Sequence, residues 1–153
     1  MYLKILDELA DKMRSDGDAM QPPATEQQLL QVRKKAQEKL GHDLPEGYRR
    51  FLAEVNGLNY DGLVIYATEP SPIIGYEHEL IEGFVEANVD DREFEPMSRY
   101  LAFGQNEFDV FVLDLKTGEY QVINQLRLNV CRVAGSFDQL LEWAIAERFE
   151  QAE

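Results

Sequence analysis

Apolar positions along the chain recur with two different periods, and the switches between them mark out the elements. Leu3, Leu6, Ala10 and Met13 lie at helical spacing and predict an amphipathic helix over residues 2–15. Asp16-Gly17-Asp18 stops it, and Gln21-Pro22-Pro23-Ala24 reads as a short stiff linker. Thr25 and Gln28 form a capping-box pair that opens a second helix. Leu29, Val32, Ala36 and Leu40 line one face of it, and Gly41 supplies a C-terminal cap. Pro45 suits the first turn of a third helix, whose apolar face is Tyr48, Phe51, Leu52 and Val55 and whose end is Asn56-Gly57.

Beyond Asp61-Gly62 the pattern turns β-rich. Residues 63–67 predict a strand, and Pro70 and Pro72 leave room only for a short edge strand at Ile73-Ile74. Leu80, Ile81, Phe84 and Val85 return to helical spacing and predict a helix over 77–89, followed by an acidic loop from Asp90 to Pro96. Strands are expected at Tyr100–Phe103, Phe108–Leu115, Tyr120–Ile123 and Val130–Val133, with a hairpin through Lys116-Thr117-Gly118. The second of these is apolar on both faces except at Asp109 and Asp114, which predicts a central strand. Ser136 caps a last helix buried through Phe137, Leu140, Leu141, Ala144, Ile145 and Phe149; Trp143 falls between these positions, at the margin of the core or outside it. Helices, then mainly consecutive strands, then a helix predict an α+β fold with a largely antiparallel sheet. No linker divides the 153 residues, so one domain is expected.

Order and spacing in part of this pattern resemble the SUKH superfamily. The residues that carry the likeness are Leu40-Gly41, Leu44-Pro45, Tyr48, Phe51-Leu52, Asn56-Gly57, then Tyr100–Gly104, Thr117-Gly118-Glu119 and Ser136–Leu141. The likeness spans about residues 22–148 and leaves the first helix outside. That superfamily includes fungal cell-wall regulators of the Smi/Knr type and many bacterial immunity proteins. The resemblance implies a protein-binding role, and in the bacterial case neutralisation of a toxin. Leu44, Pro45, Tyr48, Phe51, Leu52 and Gly57 have a sufficient explanation in capping and packing, so they are not read as a binding site.

Charge narrows the partner. The chain carries 29 acidic and 15 basic residues, a net charge of −14. Nucleic-acid binders need basic surface to neutralise phosphates, and anionic membranes repel this charge, so neither is an expected partner. A basic protein partner is favoured, and a toxin that is a nuclease would be basic at its active site. The densest acidic stretch is Glu77, Glu79, Glu82, Glu86, Asp90, Asp91, Glu93 and Glu95, opposed only by Arg92. On the expected helix, 79, 82 and 86 share a stripe. That stripe is either the wet face of an amphipathic helix or, with Tyr76, Phe94 and Tyr60 as aromatic anchors, a binding face. Like charges at this spacing oppose helix formation, which favours the second reading. Arg33, Lys34, Lys35 and Lys39 form the one strongly basic stretch; meeting the acidic segment of another copy, it would give a homodimer.

Candidate chemistry adds little. His42, expected exposed, and His78 lack metal-ligand spacing, and no cofactor is expected. There is no GxSxG, and the glycines at 57, 62 and 104 do not form a phosphate loop. Cys131, the only cysteine, lies in an apolar run and is expected to be buried. The N-terminus has no uninterrupted apolar stretch of the signal-peptide kind, which makes the cytoplasm the expected location. A non-catalytic binding module is the expected function: an immunity-type protein that neutralises a toxin, or else a regulatory scaffold without a toxin partner.

Overall fold

The computed structural model describes residues 2–151. Its order is α1 (Tyr2–Ser15), α2 (Glu26–Leu40), α3 (Glu46–Glu54), β1 (Leu58–Tyr60), β2 (Leu63–Ile65), β3 (Ser71–Ile73), β4 (Tyr76–Ile81), α4 (Phe84–Asp91), a 3-10 turn (Glu95–Arg99), β5 (Tyr100–Gln105), β6 (Asp109–Asp114), β7 (Tyr120–Asn124), β8 (Val130–Ala134) and α5 (Phe137–Gln151). Six strands form one antiparallel sheet in the order β1-β2-β5-β6-β7-β8. β3 and β4 make a separate hairpin. This is the expected α+β class, with the expected central strand in the interior of the sheet.

Local chemistry explains most boundaries. The capping box at α2 is formed: the Thr25 hydroxyl accepts from the Gln28 backbone and the Gln28 side chain accepts from the Thr25 N–H. Gly41 ends that helix in the left-handed conformation. Pro45 sits one place earlier than expected, as the N-cap of α3. Ser136 accepts from the Gln139 N–H at the start of α5. In α1, Leu6, Leu9 and Met13 form the buried stripe; the side chain of Leu3 lies outside the described residues.

Tyr48 is the hub of the core. Its ring lies 5.1 Å from Phe84, 5.1 Å from Phe103 and 5.5 Å from Phe137, so α3, α4, β5 and α5 meet on it. Its hydroxyl donates to the Tyr66 carbonyl at 2.6 Å, and full burial pushes the phenol well above its ordinary pKa. Each such ring buries roughly 1.5–3 kcal/mol of transfer energy, and each ring pair adds about 0.5–1.5 kcal/mol. Asn56 ties the end of α3 to the chain after β2, through Thr68 N–H to Oδ1 at 2.8 Å and Nδ2 to the Thr68 hydroxyl at 3.0 Å. Gly57 follows at φ 91°, where a Cβ would stand 2.9 Å from that of Ala67. Shape and conformation both require glycine there.

The helix expected over 77–89 is not formed as such. Its first half is β4, and α4 begins only at Phe84. The cause is backbone pairing around Ala67: its N–H donates to the Glu82 carbonyl and its carbonyl accepts from the Phe84 N–H. Those bonds hold 82–84 extended and are incompatible with a helix passing through them. Gly75 at φ 86° closes the β3–β4 hairpin just before. The acidic loop is replaced by the end of α4 and the 3-10 turn. β1, with three residues, is too short to show a period in the sequence.

Candidate functional site

The acidic residues at 77–95 do not share one face. Glu77 and Glu79 project from the exposed hairpin strand β4, beside Tyr76. Glu82, Asp90 and Asp91 form a second group, in which burial, then Glu82, then Asp90 raise the Asp91 carboxyl above its usual range. Glu86 is neutralised by Lys35 on α2, and α2 packs against α4. Glu93, Phe94 and Glu95 are exposed around the 3-10 turn, with Phe94 59% accessible. The stripe expected from 79, 82 and 86 therefore does not exist, because these residues span a strand, a connection and a helix.

The same ion pair changes the reading of the basic stretch. Lys35 meets Glu86 of its own chain, and Arg33 pairs bidentately with Asp43 at 2.8 and 3.1 Å, which holds the Asp43 carboxyl below its usual range. Half of the cationic run is thus used internally.

What the fold does assemble is a cleft of about 230 Å³ between the end of α1, the β1–β2 turn and the β3–β4 hairpin. Met13, Asp18 and Ala19 come from the end of α1 and the turn after it. Asn59, Tyr60 and Asp61 come from β1 and its turn. Ile73, Ile74, Tyr76 and Glu79 come from the hairpin. Asp16 and Lys12 border the cleft on the side of Asp18 and Asp61. Met13 and Ile73 are its buried apolar side chains, and Asp18, Asp61 and Glu79 are its carboxylates. Asp16 is offset by Lys12 at 3.6 Å, but no ion pair among the described residues involves Asp18, Asp61, Glu77 or Glu79.

Two tyrosines report the potential inside it. The Tyr60 hydroxyl donates to Asp16 at 2.7 Å; burial, that bond and the charges of Asp16, Asp61 and Asp18 push its pKa up to about 12. The Tyr76 hydroxyl donates to Asp18 at 2.8 Å, and its pKa is raised by that bond, the charge of Asp18, burial and Glu79. Each phenolate would form in a field already negative. Tyr60, expected as an exposed anchor, is instead buried in the wall at 7% exposure, whereas Tyr76 is 52% exposed on the rim. Ile74 and Leu80 join Tyr76 as accessible apolar groups on the hairpin.

Asp61 is held from behind. Arg148 on α5, 1% exposed, donates to the Asp61 carbonyl at 2.7 Å and to both Glu107 oxygens at 3.2 and 2.9 Å. It fastens the β1–β2 turn, with Asp61 at φ 49°, to the β5–β6 turn. In the sequence, Asp16-Gly17-Asp18 and Asp61-Gly62 carry only turn signals. Their convergence follows from α1 packing on α5, which no local pattern announces.

His42 is exposed, as expected. Cys131 is exposed rather than buried, because β8 is an edge strand and a bulge sits at this residue. Trp143 is half-buried under the Arg132 guanidinium, 3.6 Å from the ring centre. Among the described residues no group of three or more His, Cys, Asp or Glu is placed to hold a metal ion, and no helix is long and apolar enough to cross a membrane.

Comparison with curated proteins finds no match. Comparison with family models finds the SMI1 / KNR4 family (SUKH-1) over residues 23–143. The matched segment contains the hub tyrosine, the Asn56-Gly57 tie, the hairpin and the whole sheet, while α1, Asp16, Asp18 and Arg148 lie outside it. On that match, and on the fold that accompanies it, the chain belongs to the SMI1 / KNR4 family (SUKH-1).

Proposed function

We propose that the chain is a non-catalytic protein-binding module of the immunity type, which neutralises a basic toxin domain by seating a cationic side chain in the cleft between α1, the β1–β2 turn and the β3–β4 hairpin. The observation that carries this reading is the cleft's composition. Asp18, Asp61 and Glu79, which take part in no ion pair among the described residues, stand beside the buried apolar side chains of Met13 and Ile73. A lysine or arginine matches both parts, with its methylene stem against the apolar side chains and its charge at the carboxylates.

Affinity and speed come from different groups. Rim carboxylates on a chain of net charge −14 steer a basic partner and raise its on-rate. Tight binding needs desolvated anchors, and Tyr76, Ile74 and Leu80 stand exposed on the hairpin beside Glu77 and Glu79. A nuclease toxin fits this chemistry, since its substrate groove must be basic. Blocking that groove requires no reaction by the module, and it would take place in the cytoplasm, where nucleic acid is reached.

The test is capture from source-cell extract at low salt with stepwise salt elution, comparing wild type with Asp18→Lys/Glu79→Lys. Wild type is expected to retain a basic protein that the double variant releases at the lowest salt step. Equal retention by both would reject the cleft as the binding surface. Glu82→Lys/Asp90→Lys, which alters the separate group near α4, is expected to behave close to wild type.

A further inference from the structure

Strand β8 is one end of the six-stranded sheet and, among the described residues, pairs only with β7. An open edge presents unpaired backbone groups and invites another strand, so proteins guard such edges with brevity, proline, lysine, inward-pointing charge or a bulge that twists the edge away. The opposite edge is guarded: β1 has three residues, both ends buried, and runs into the acidic turn at Asp61. β8 has five residues, of which the first four are exposed, and none is proline, lysine or a carboxylate; the bulge at Cys131 is its one device of this kind, and it leaves Val130 and Val133 accessible. Its one charge, Arg132, lies folded over Trp143.

Two further observations bear on what would cover it. From Tyr120 to Phe137 the chain has no carboxylate, although 29 of its 153 residues are acidic. A surface for a basic partner would be expected to keep its carboxylates, whereas a like-charged partner is repelled wherever they remain. The second observation is the bulge between Val122 and Ile123. Val133 stands opposite Gln121 and Val130 opposite Ile123. Gln121 and Ile123 are two apart and share a face, so the bulge brings Val130 and Val133 onto that face together. They are 46% and 49% exposed.

We infer that β8 is a self-association edge, which pairs antiparallel with β8 of a second copy about a two-fold axis. In the register centred between Cys131 and Arg132, Val130 of each copy faces Val133 of the other. The four valines then close into one apolar patch on a continuous sheet, the self-complementary arrangement that a two-fold requires. Neither β8 strand carries a carboxylate.

Ionic strength separates this association from capture of a basic protein. Two chains of −14 repel at long range, and salt screens that repulsion. The dimer should therefore tighten as salt rises, whereas capture of a basic partner weakens.

The experiment is sedimentation velocity on the purified full chain, from low to high micromolar concentration, at low and at high salt. Wild type should pass from a 17.6 kDa monomer to a species of twice that mass, at lower concentration in high salt. Val130→Lys/Val133→Lys should raise the dissociation constant by at least about tenfold. Both side chains are half exposed, so the far-UV circular dichroism should be unchanged; if the double variant melts early, Val133→Lys alone reads the same difference. A monomer at the highest concentration in high salt would overturn the inference. So would a dimer that the lysines do not weaken, one that salt dissociates, or assembly beyond two copies.

Discussion

The edge strands β1 and β8 terminate the same sheet and are finished in opposite ways. Beside β1, two turns and strand β4 deliver Asp18, Asp61 and Glu79 to one cleft with Asp16 at its border, and two tyrosine hydroxyls are held there as donors to carboxylates. Along β8 the carboxylates vanish and the exposed groups are valine, cysteine and a stacked arginine. A net charge of −14 is thus an average over unlike surfaces. Only the folded arrangement tells which one would attract a cation and which one a like-charged chain could approach.

The sharpest way to break this contrast is to invert the acidic end. Asp18→Lys/Glu79→Lys should weaken capture of a basic partner about a hundredfold at low salt, near 2.7 kcal/mol, and high salt should bring wild type toward the variant. Surface plasmon resonance across a salt series checks it; parallel curves for the two proteins would remove the β1 end from the binding surface.

Next in size is the clamp behind Asp61. Arg148→Met keeps the apolar stem but loses the bonds to the Asp61 carbonyl and Glu107, and should cost about 2–3 kcal/mol in urea unfolding. The β1 end should suffer first, with the Asp61 turn gaining hydrogen exchange while the β7–β8 amides keep theirs.

Tyr60 gives a smaller effect with a definite sign. Its phenol is raised from 10.0 to about 12 in the folded protein, so between those values the unfolded chain loses the proton first. The stability it contributes is complete below pH 10 and is lost as the pH climbs toward 12. Tyr60→Phe should cost about 1 kcal/mol at neutral pH, the value of the bond to Asp16, and should flatten that alkaline decline. A thermal-melt series against pH reads both; an undiminished decline in the variant would assign it elsewhere.

Smallest of all should be Leu126→Ser, near β8. Leu126 is 93% exposed, so stability should change by less than about 0.5 kcal/mol.

How far these surfaces could be read from sequence differs between the two ends. The α+β order, the capping box at Thr25 and the apolar faces around Tyr48 follow from local sequence pattern, and the structure has them. The carboxylate-free run from Tyr120 to Phe137 was equally visible in the sequence, but its meaning depended on β8 being an edge. The 77–89 segment misled because Leu80, Ile81, Phe84 and Val85 fit a helix locally while the backbone of Ala67, far along the chain, claims 82–84. The cleft was the least legible. It joins residues more than forty positions apart through α1, which lies outside the family-matched segment, so neither periodicity nor the family pattern brings Asp18 to Asp61.

The most direct test of the acidic cleft as a capture surface is stopped-flow association of the purified chain with the basic protein it retains, for wild type and Asp18→Lys/Glu79→Lys, from low to high salt. An on-rate that falls steeply with salt for wild type, and that starts at least about tenfold lower and varies less in the variant, is the predicted result. Matching on-rates and matching salt slopes for the two proteins would contradict it.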